Sequence, residues 1–255
     1  CMYVCMYVCM YVCMYAFVAL TKSLQNEWLF LQRIVARSTS AFSSLNDTLQ
    51  HNFLPNLCGF ELEENEADLM CRPSRFLGLG IHNPMKVAIN HFLVSKTATA
   101  SLSEAIIKGV DLDINAHDHS LQDGARLSKT FDVKLSAETE ALIGSFPASQ
   151  KRSFARKLSA KCSGWLAIMP SNENQFELSP DEFRDSIALR YGHTPVNLPD
   201  VCDADGENFD TNHALNCPRG GLVYGRHNEF RDLNCDILKM AGLHQVISEP
   251  VVKES

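Results

Sequence analysis

Between Cys202 and Cys217 the sequence reads CDADGENFDTNHALNC, and this stretch restricts the local chain geometry more than any other. It holds Cys202, His213 and Cys217, ligands of the soft or borderline kind that zinc takes. His213 and Cys217 stand four apart, which on a helix sets them on one face. Zn²⁺ prefers a tetrahedron of four donors, and a zinc knuckle draws one pair from a tight turn and the other from a helix. Cys202-x2-Asp205 has the length of the turn half, and Gly206 lets the backbone bend there. A second thiolate would complete C-x2-C-x7-H-x3-C, but Asp205 stands in its place. The motif has two readings. In one, Cys202, Asp205, His213 and Cys217 hold one zinc ion, less tightly than a three-thiolate set would. In the other, a turn and a helix carry Cys and His as ordinary core residues.

The 255 residues suffice for one large or two modest domains. With 45% hydrophobic and 21% charged residues the chain reads as globular. A net charge of −7 weighs against nucleic acid as the dominant partner, though it leaves room for a local basic surface. Four of the ten Cys fall in the repeat CMYV-CMYV-CMYV-CMYA at residues 1–16. A repeated TGTA tetranucleotide encodes Cys-Met-Tyr-Val without a stop, so the repeat reads as a translated microsatellite and the chain start as a truncation or gene-model accident. The rival reading, a membrane anchor over residues 1–20, fits poorly because Tyr prefers membrane interfaces to the hydrocarbon core. The remaining six Cys are scattered, with no disulfide framework, as expected of an intracellular protein.

Helical periodicity dominates the chain beyond the repeat. Residues 20–37 predict an amphipathic helix with Leu24, Trp28, Leu31 and Val35 inward. Residues 40–54 predict a second, with Phe42, Leu45, Leu49 and Phe53 on one side and Pro55 ending it. The acidic stretch 61–68 reads as a solvated loop or helix face. Pro73, Gly78, Gly80 and Pro84 mark irregular chain, without a phosphate-loop pattern. Residues 85–108 predict one long helix, 109–124 a solvated loop bearing His117, Asp118 and His119, and 125–147 another helix. Lys151, Arg152, Arg156, Lys157 and Lys161 form the densest basic run, either a solvated helix face or a phosphate-contacting one. Trp165 reads as a core anchor. Ser179-Pro180-Asp181-Glu182 is a helix start with a capping box, and Phe183, Ile187 and Leu189 should enter the core. Residues 222–241 predict a last helix, and 244–252 a strand.

The succession FELSPDEFRDSIALRYG (176–192), the Cys202–Cys217 motif and PRGGLVYGRHNEFRD (218–232) carries HAL-x-C-x2-GGLV-x2-RHNE-x-RD at its centre. It closely resembles the region after the polymerase in non-LTR retrotransposon reverse transcriptases. There a cysteine/histidine knuckle precedes a restriction-like endonuclease. RPSRFLGLGIHNP (72–84) similarly resembles the P-x3-GGLGI signature that follows the polymerase palm, with Leu77 where the first glycine stands. The resemblance runs from about Leu20 to Val252. Beyond the repeat region at 1–19, it implies a thumb-like helical region at 20–108, a helical linker at 109–175, and a knuckle region with the start of a truncated nuclease at 176–255. It also implies nuclear location.

The expected protein is mainly α-helical with a small degenerate zinc knuckle near its C-terminus. A two-metal polymerase needs clustered carboxylates, yet no Asp-Asp dipeptide occurs. The chain also stops before a nuclease sheet, so no catalytic centre is expected. The first functional reading is a retrotransposon-derived fragment that binds RNA or DNA weakly through Lys151, Arg152, Arg156, Lys157, Lys161 and the knuckle, with no small-molecule substrate. A helical protein-interaction scaffold and a relic open reading frame without present function are its rivals.

Overall fold

The computed structural model describes residues 13–174, 176–219, 222–243 and 245–247. Among them the protein is mainly α-helical, and the single β pairing is an isolated antiparallel bridge between Val201 and Asn208. No helix among the described residues is long and apolar enough to cross a membrane. The chain divides into two compact units, with the boundary between His193 and Thr194.

The larger unit begins with α1 (Cys13–Ala19), whose Met14, Phe17 and Val18 are buried. The last copy of the tetrapeptide repeat is thus built into the core, and residues 1–12 lie outside the described residues. A π-helical stretch (Leu20–Leu24) leads directly into α2 (Gln25–Ile34). That stretch rotates the helix, and the buried face of α2 is Gln25, Trp28, Leu29 and Gln32. Leu24, Leu31 and Val35 face outward, contrary to the apolar stripe the sequence predicts. The buried glutamines have a purpose. Gln25 donates to the Gly80 carbonyl and accepts from the His82 N–H, while Gln32 donates to the Pro84 carbonyl. Gln25 thus satisfies backbone groups of the loop before α6, and Gln32 ties α2 to the first residue of α6.

A 3₁₀ turn, α3 (Ser43–Thr48), a second π-helical stretch (Leu49–Phe53) and α4 (Leu54–Cys58) come next. Phe42, Leu49 and Phe53 are buried as predicted, and Leu45 packs against the core. Pro55 does not end the helix. It lies just after the π-helical stretch within a continuous helical run, and Gly59 at φ +80° closes the helix instead. In the acidic stretch α5 (Glu64–Met70) buries Glu66, which pairs with His193 Nε2 at 2.7 Å. The loop 71–83 then buries Leu77, Leu79 and Ile81. Leu77 adopts φ +70°, Gly80 +76°, and a Cβ on Gly78 would lie 1.8 Å from the Arg72 carbonyl oxygen. The Gly-Leu-Gly run is therefore dictated by backbone geometry.

The helix expected over 85–108 is interrupted at Thr99, giving α6 (Pro84–Ala98) and α7 (Ala100–Lys108). The loop expected over 109–124 is short. Asp113 caps α8 (Ile114–Ser145), a single 32-residue helix that carries His117, Asp118 and His119 on its first turns. Gly124 lets α8 close on Ala98 of α6. Asp132 pairs with Arg75 at 2.8 Å and Lys134 with Glu138, so both have structural partners.

α9 (Ala148–Ser159) buries Phe154 against Phe146 and Tyr191. Trp165 meets Phe183 edge-on. α10 (Pro180–Tyr191) starts with the predicted capping box: Glu182 N–H donates to Ser179 Oγ, and Ser179 N–H to Glu182 Oε2. Phe183, Ile187 and Tyr191 are buried, whereas Leu189, two residues beyond Ile187 and so on the opposite side, is exposed. Residues 176–193 consequently belong to the larger unit. Tyr191 and the buried Arg190 both donate to the Leu77 carbonyl, at 2.7 and 3.1 Å, which ties α10 to the buried loop.

In the smaller unit, a tight hairpin around Val201 and Asn208 precedes α11 (Thr211–Asn216) and α12 (Leu222–Met240). Residues 245–247 carry no strand, and the rest of the stretch where one is predicted lies outside the described residues.

Candidate metal centre

The hairpin shapes the first half of the site. Cys202 N–H donates to the Glu207 carbonyl at 2.8 Å, Gly206 N–H to the Cys202 carbonyl at 2.9 Å, and Phe209 N–H to the Asp200 carbonyl at 3.0 Å. Gly206 has φ +79°, which allows the chain to reverse. This reversal points the backbone N–H groups of Ala204 and Asp205 at the Cys202 sulfur. The second half comes from α11. Asp210 caps it, accepting from His213 N–H at 2.6 Å, and Cys217 N–H closes the last turn on the His213 carbonyl at 2.7 Å. One turn of helix thus puts His213 and Cys217 on one face, as their spacing predicts.

The four side chains converge. One ligand atom from each of Cys202, Asp205, His213 and Cys217 lies within 4.8 Å of all the others. The sulfurs of Cys202 and Cys217 are 3.9 Å apart, Cys217 Sγ is 3.3 Å from Asp205 Oδ2, and His213 Nε2 is 3.2 Å from Asp205 Oδ1. Around a tetrahedral zinc, ligand bonds of about 2.0–2.3 Å put sulfurs roughly 3.8 Å apart and nitrogen and oxygen roughly 3.3 Å apart. The sulfur–sulfur and nitrogen–oxygen separations fit such a tetrahedron's edges, while Cys217 Sγ approaches the other oxygen of the Asp205 carboxylate. The cysteines are 3% and 2% exposed, so the thiols face inward. His213 Nε2 is buried and accepts or donates no hydrogen bond, although the Asp205 carboxylate is close. A buried ring nitrogen aimed at three donors, without a hydrogen bond of its own, has the geometry of a metal ligand.

The electrostatics are those of a compact donor set. At Cys202 the Ala204 N–H favours the thiolate, but burial and the adjoining Cys217 and Asp205 side chains raise the thiol above its ordinary range. Asp205 is pushed upward by burial. The Glu207 N–H, hydrogen bonds from Cys217 and Cys202, and the His213 ring outweigh this and hold the carboxylate below its usual range. Two thiolates and the Asp205 carboxylate would set three negative charges against a dication, as three thiolates would. The cluster offers four protein donors, the number that a structural zinc site uses. Among the described residues no other set of three or more such donors converges, and His117 and His119 are not so gathered.

The basic run is divided in its duties. Arg152 and Arg156 lie exposed on α9, and Lys151 is half-buried. Lys157 has a different task from the phosphate contact considered for it. Its ammonium donates to the Leu189 and Arg190 carbonyls, at 3.0 and 2.6 Å, capping the C-terminal end of α10. Burial, with Arg190 and Arg156 nearby, holds its pKa below the usual value. Lys161 adopts φ +52° immediately beyond α9, where Lys161 N–H and Cys162 N–H donate back to the Leu158 and Lys157 carbonyls. The exposed cations of this run are Arg152, Arg156 and Lys161.

Sequence reasoning misses the Asp210 cap and the two N–H groups on the Cys202 sulfur. The first is signalled by an Asp directly before Thr-Asn-His. No protein-family model, curated protein or solved structure matches this chain.

Proposed function

We propose that the 194–255 unit is a zinc knuckle whose donors are two cysteines, one histidine and one aspartate, in a chain derived from the post-polymerase region of a non-LTR retrotransposon reverse transcriptase. The ion's role is structural: it cross-links hairpin and helix in a unit too small to hold them by apolar burial alone. The observation that carries this reading is the convergence of four donor atoms, with a buried His213 Nε2 among them that makes no hydrogen bond. The resemblance over residues 176–252 supports the same assignment. The chain carries no catalytic centre of its own in this reading. Its remaining capacity is weak RNA or DNA binding, through the knuckle and the exposed Arg152, Arg156 and Lys161.

Zinc content of the purified full chain tests the metal. One zinc per chain is expected. Asp205→Cys should tighten binding by roughly tenfold or more, since thiolate suits zinc better than carboxylate, and Asp205→Ala should weaken it by a similar factor. A natural chain without zinc beside a zinc-loaded Asp205→Cys variant would mean the knuckle has been lost. Fluorescence anisotropy with a single-stranded RNA tests the partner. Binding should weaken steeply as salt rises, and Arg152→Ala with Arg156→Ala should flatten that dependence.

A second reading has one observation in its favour. Tyr224, Phe230, Leu233, Ile237 and Met240 of α12 are exposed, which suits a helical protein-interaction module. Association with a protein that is insensitive to salt, without RNA binding at low salt, would favour it.

A further inference from the structure

We infer that Cys202 and Cys217 form a two-electron redox switch on the metal centre, closing to a disulfide under a peroxide and discharging the ion. The inference rests on the zinc reading above. The two sulfurs stand 3.9 Å apart, close enough to bond after a modest side-chain rotation and with no intervening group. They belong to a tight turn and to the C-terminal end of a six-residue helix, not to two long rigid elements. The other two donors, Asp205 and His213, do not change oxidation state under mild peroxide. Loss of both sulfurs therefore leaves a carboxylate and an imidazole, too few to hold zinc in a small unit. Asp205 in place of a thiolate makes this response all-or-none: no third sulfur remains to keep the ion or to choose a different disulfide partner.

The chemistry balances. One thiolate attacks a peroxide oxygen and breaks the O–O bond, forming a sulfenic acid and releasing hydroxide. The second thiolate attacks that sulfur, forming the S–S bond and expelling a second hydroxide. Both hydroxides take protons from solvent to become water. The sulfur pair gives up two electrons to the peroxide, and Zn²⁺ leaves because neutral disulfide sulfurs no longer bind it. Burial of both sulfurs slows the first step, and the partly exposed His213 and Asp205 mark the edge from which a small oxidant approaches.

The test uses the full chain, purified reduced and zinc-loaded, beside a Cys162→Ser/Cys235→Ser variant lacking two thiols outside the site. Zinc is counted first. Hydrogen peroxide is then added, zinc release is followed with a chromogenic chelator, and the tryptic peptide between Arg190 and Arg219, which holds both cysteines, is weighed. The expected result, in both proteins, is about one zinc released per peptide lighter by two hydrogens, reversed by dithiothreitol and added zinc. Zinc retained with the pair reduced overturns the switch, as does zinc lost with sulfinic acid at Cys202 or Cys217 and no disulfide. A chain that holds no zinc before oxidant overturns the metal reading itself, and the first count separates that outcome from the others.

Discussion

Leu77 and Lys161 share a backbone conformation that glycine adopts without strain, at φ +70° and +52°, but they sit in opposite surroundings. Lys161 is exposed, so Lys161→Gly relieves strain against only the added freedom of the unfolded chain, and should stabilise by about 0.5–1 kcal/mol. Leu77 is buried in the core, so Leu77→Gly relieves the same strain but empties a leucine-sized space worth about 2–5 kcal/mol. The net should be destabilising, and urea denaturation of both variants reads the two signs. A destabilised Lys161→Gly protein would mean that φ strain does not govern the exposed position, and a stabilised Leu77→Gly protein that it outweighs burial at the other. His91 adds a pH dependence. Its Nδ1 lies 3.0 Å from Gln32 Oε1, and because the Gln32 amide nitrogen already donates to Pro84, that ring nitrogen carries the proton. Burial first, then His82 and Arg33, lower its pKa from 6.5 to about 4. Between those values the unfolded chain binds the extra proton, so stability is present in full above 6.5 and is lost as pH falls toward 4. His91→Gln should lose less stability than the natural chain between about pH 7 and pH 4.5. An equal loss in both proteins would assign the dependence to other groups.

The buried face of α2 marks where periodicity stops being informative. The π-helical turn at Leu20–Leu24 shifts α2 against α1, and within α2 polar residues take inner positions that an apolar pattern cannot mark. Buried Gln25 and Gln32 have no apolar signal at all, since their role emerges only when a distant loop brings carbonyls to them. The capping box at Ser179 and the apolar stripe of Phe42, Leu49 and Phe53 are legible because each is complete within a few residues. Helix α8 is not legible over residues 114–124, where Asp, His and Gly have the composition of a loop. Gly124 has a tertiary reason: a Cβ there would lie 2.8 Å from the Ala98 Cβ. Gly144, in the same helix, has open space around its Cβ position. Helix propensity alone favours alanine at both. Gly144→Ala should therefore stabilise by about 0.5 kcal/mol, while Gly124→Ala should destabilise by about 1–3 kcal/mol as α6 and α8 are forced apart. Thermal melts of the two variants decide it. A stabilised Gly124→Ala protein would show that the two helices give way freely.

Across the whole molecule, the site is more legible than the scaffold. Metal ligation demands particular residue types at short spacings, and Cys202, Asp205, His213 and Cys217 lie within one short segment, so their meeting needs only a turn and one helical turn. The core of the larger unit depends on pairs far apart in sequence, such as Tyr191 with the Leu77 carbonyl or Gln25 with Gly80, which no local pattern announces. The same contrast predicts how the two units respond to loss of metal. The larger unit has a contiguous apolar core from Phe17 through Tyr191 and contains no member of the donor cluster. In the smaller unit α12 leaves most of its large apolar side chains exposed. On the zinc reading its stability comes from the ion, because binding free energy of a structural zinc is folding free energy. Addition of a strong chelator to the zinc-loaded chain should raise amide hydrogen exchange at Cys202, Gly206, Phe209 and Cys217, whose N–H groups bond within the hairpin and α11. Exchange at Gly59, Leu79 and Phe183 in the larger unit should stay unchanged. Protection lost in both units at once would mean that the chain folds as one cooperative body. Protection unchanged in the hairpin would mean that the turn and α11 are held by their own hydrogen bonds, and the ion would then be a passenger.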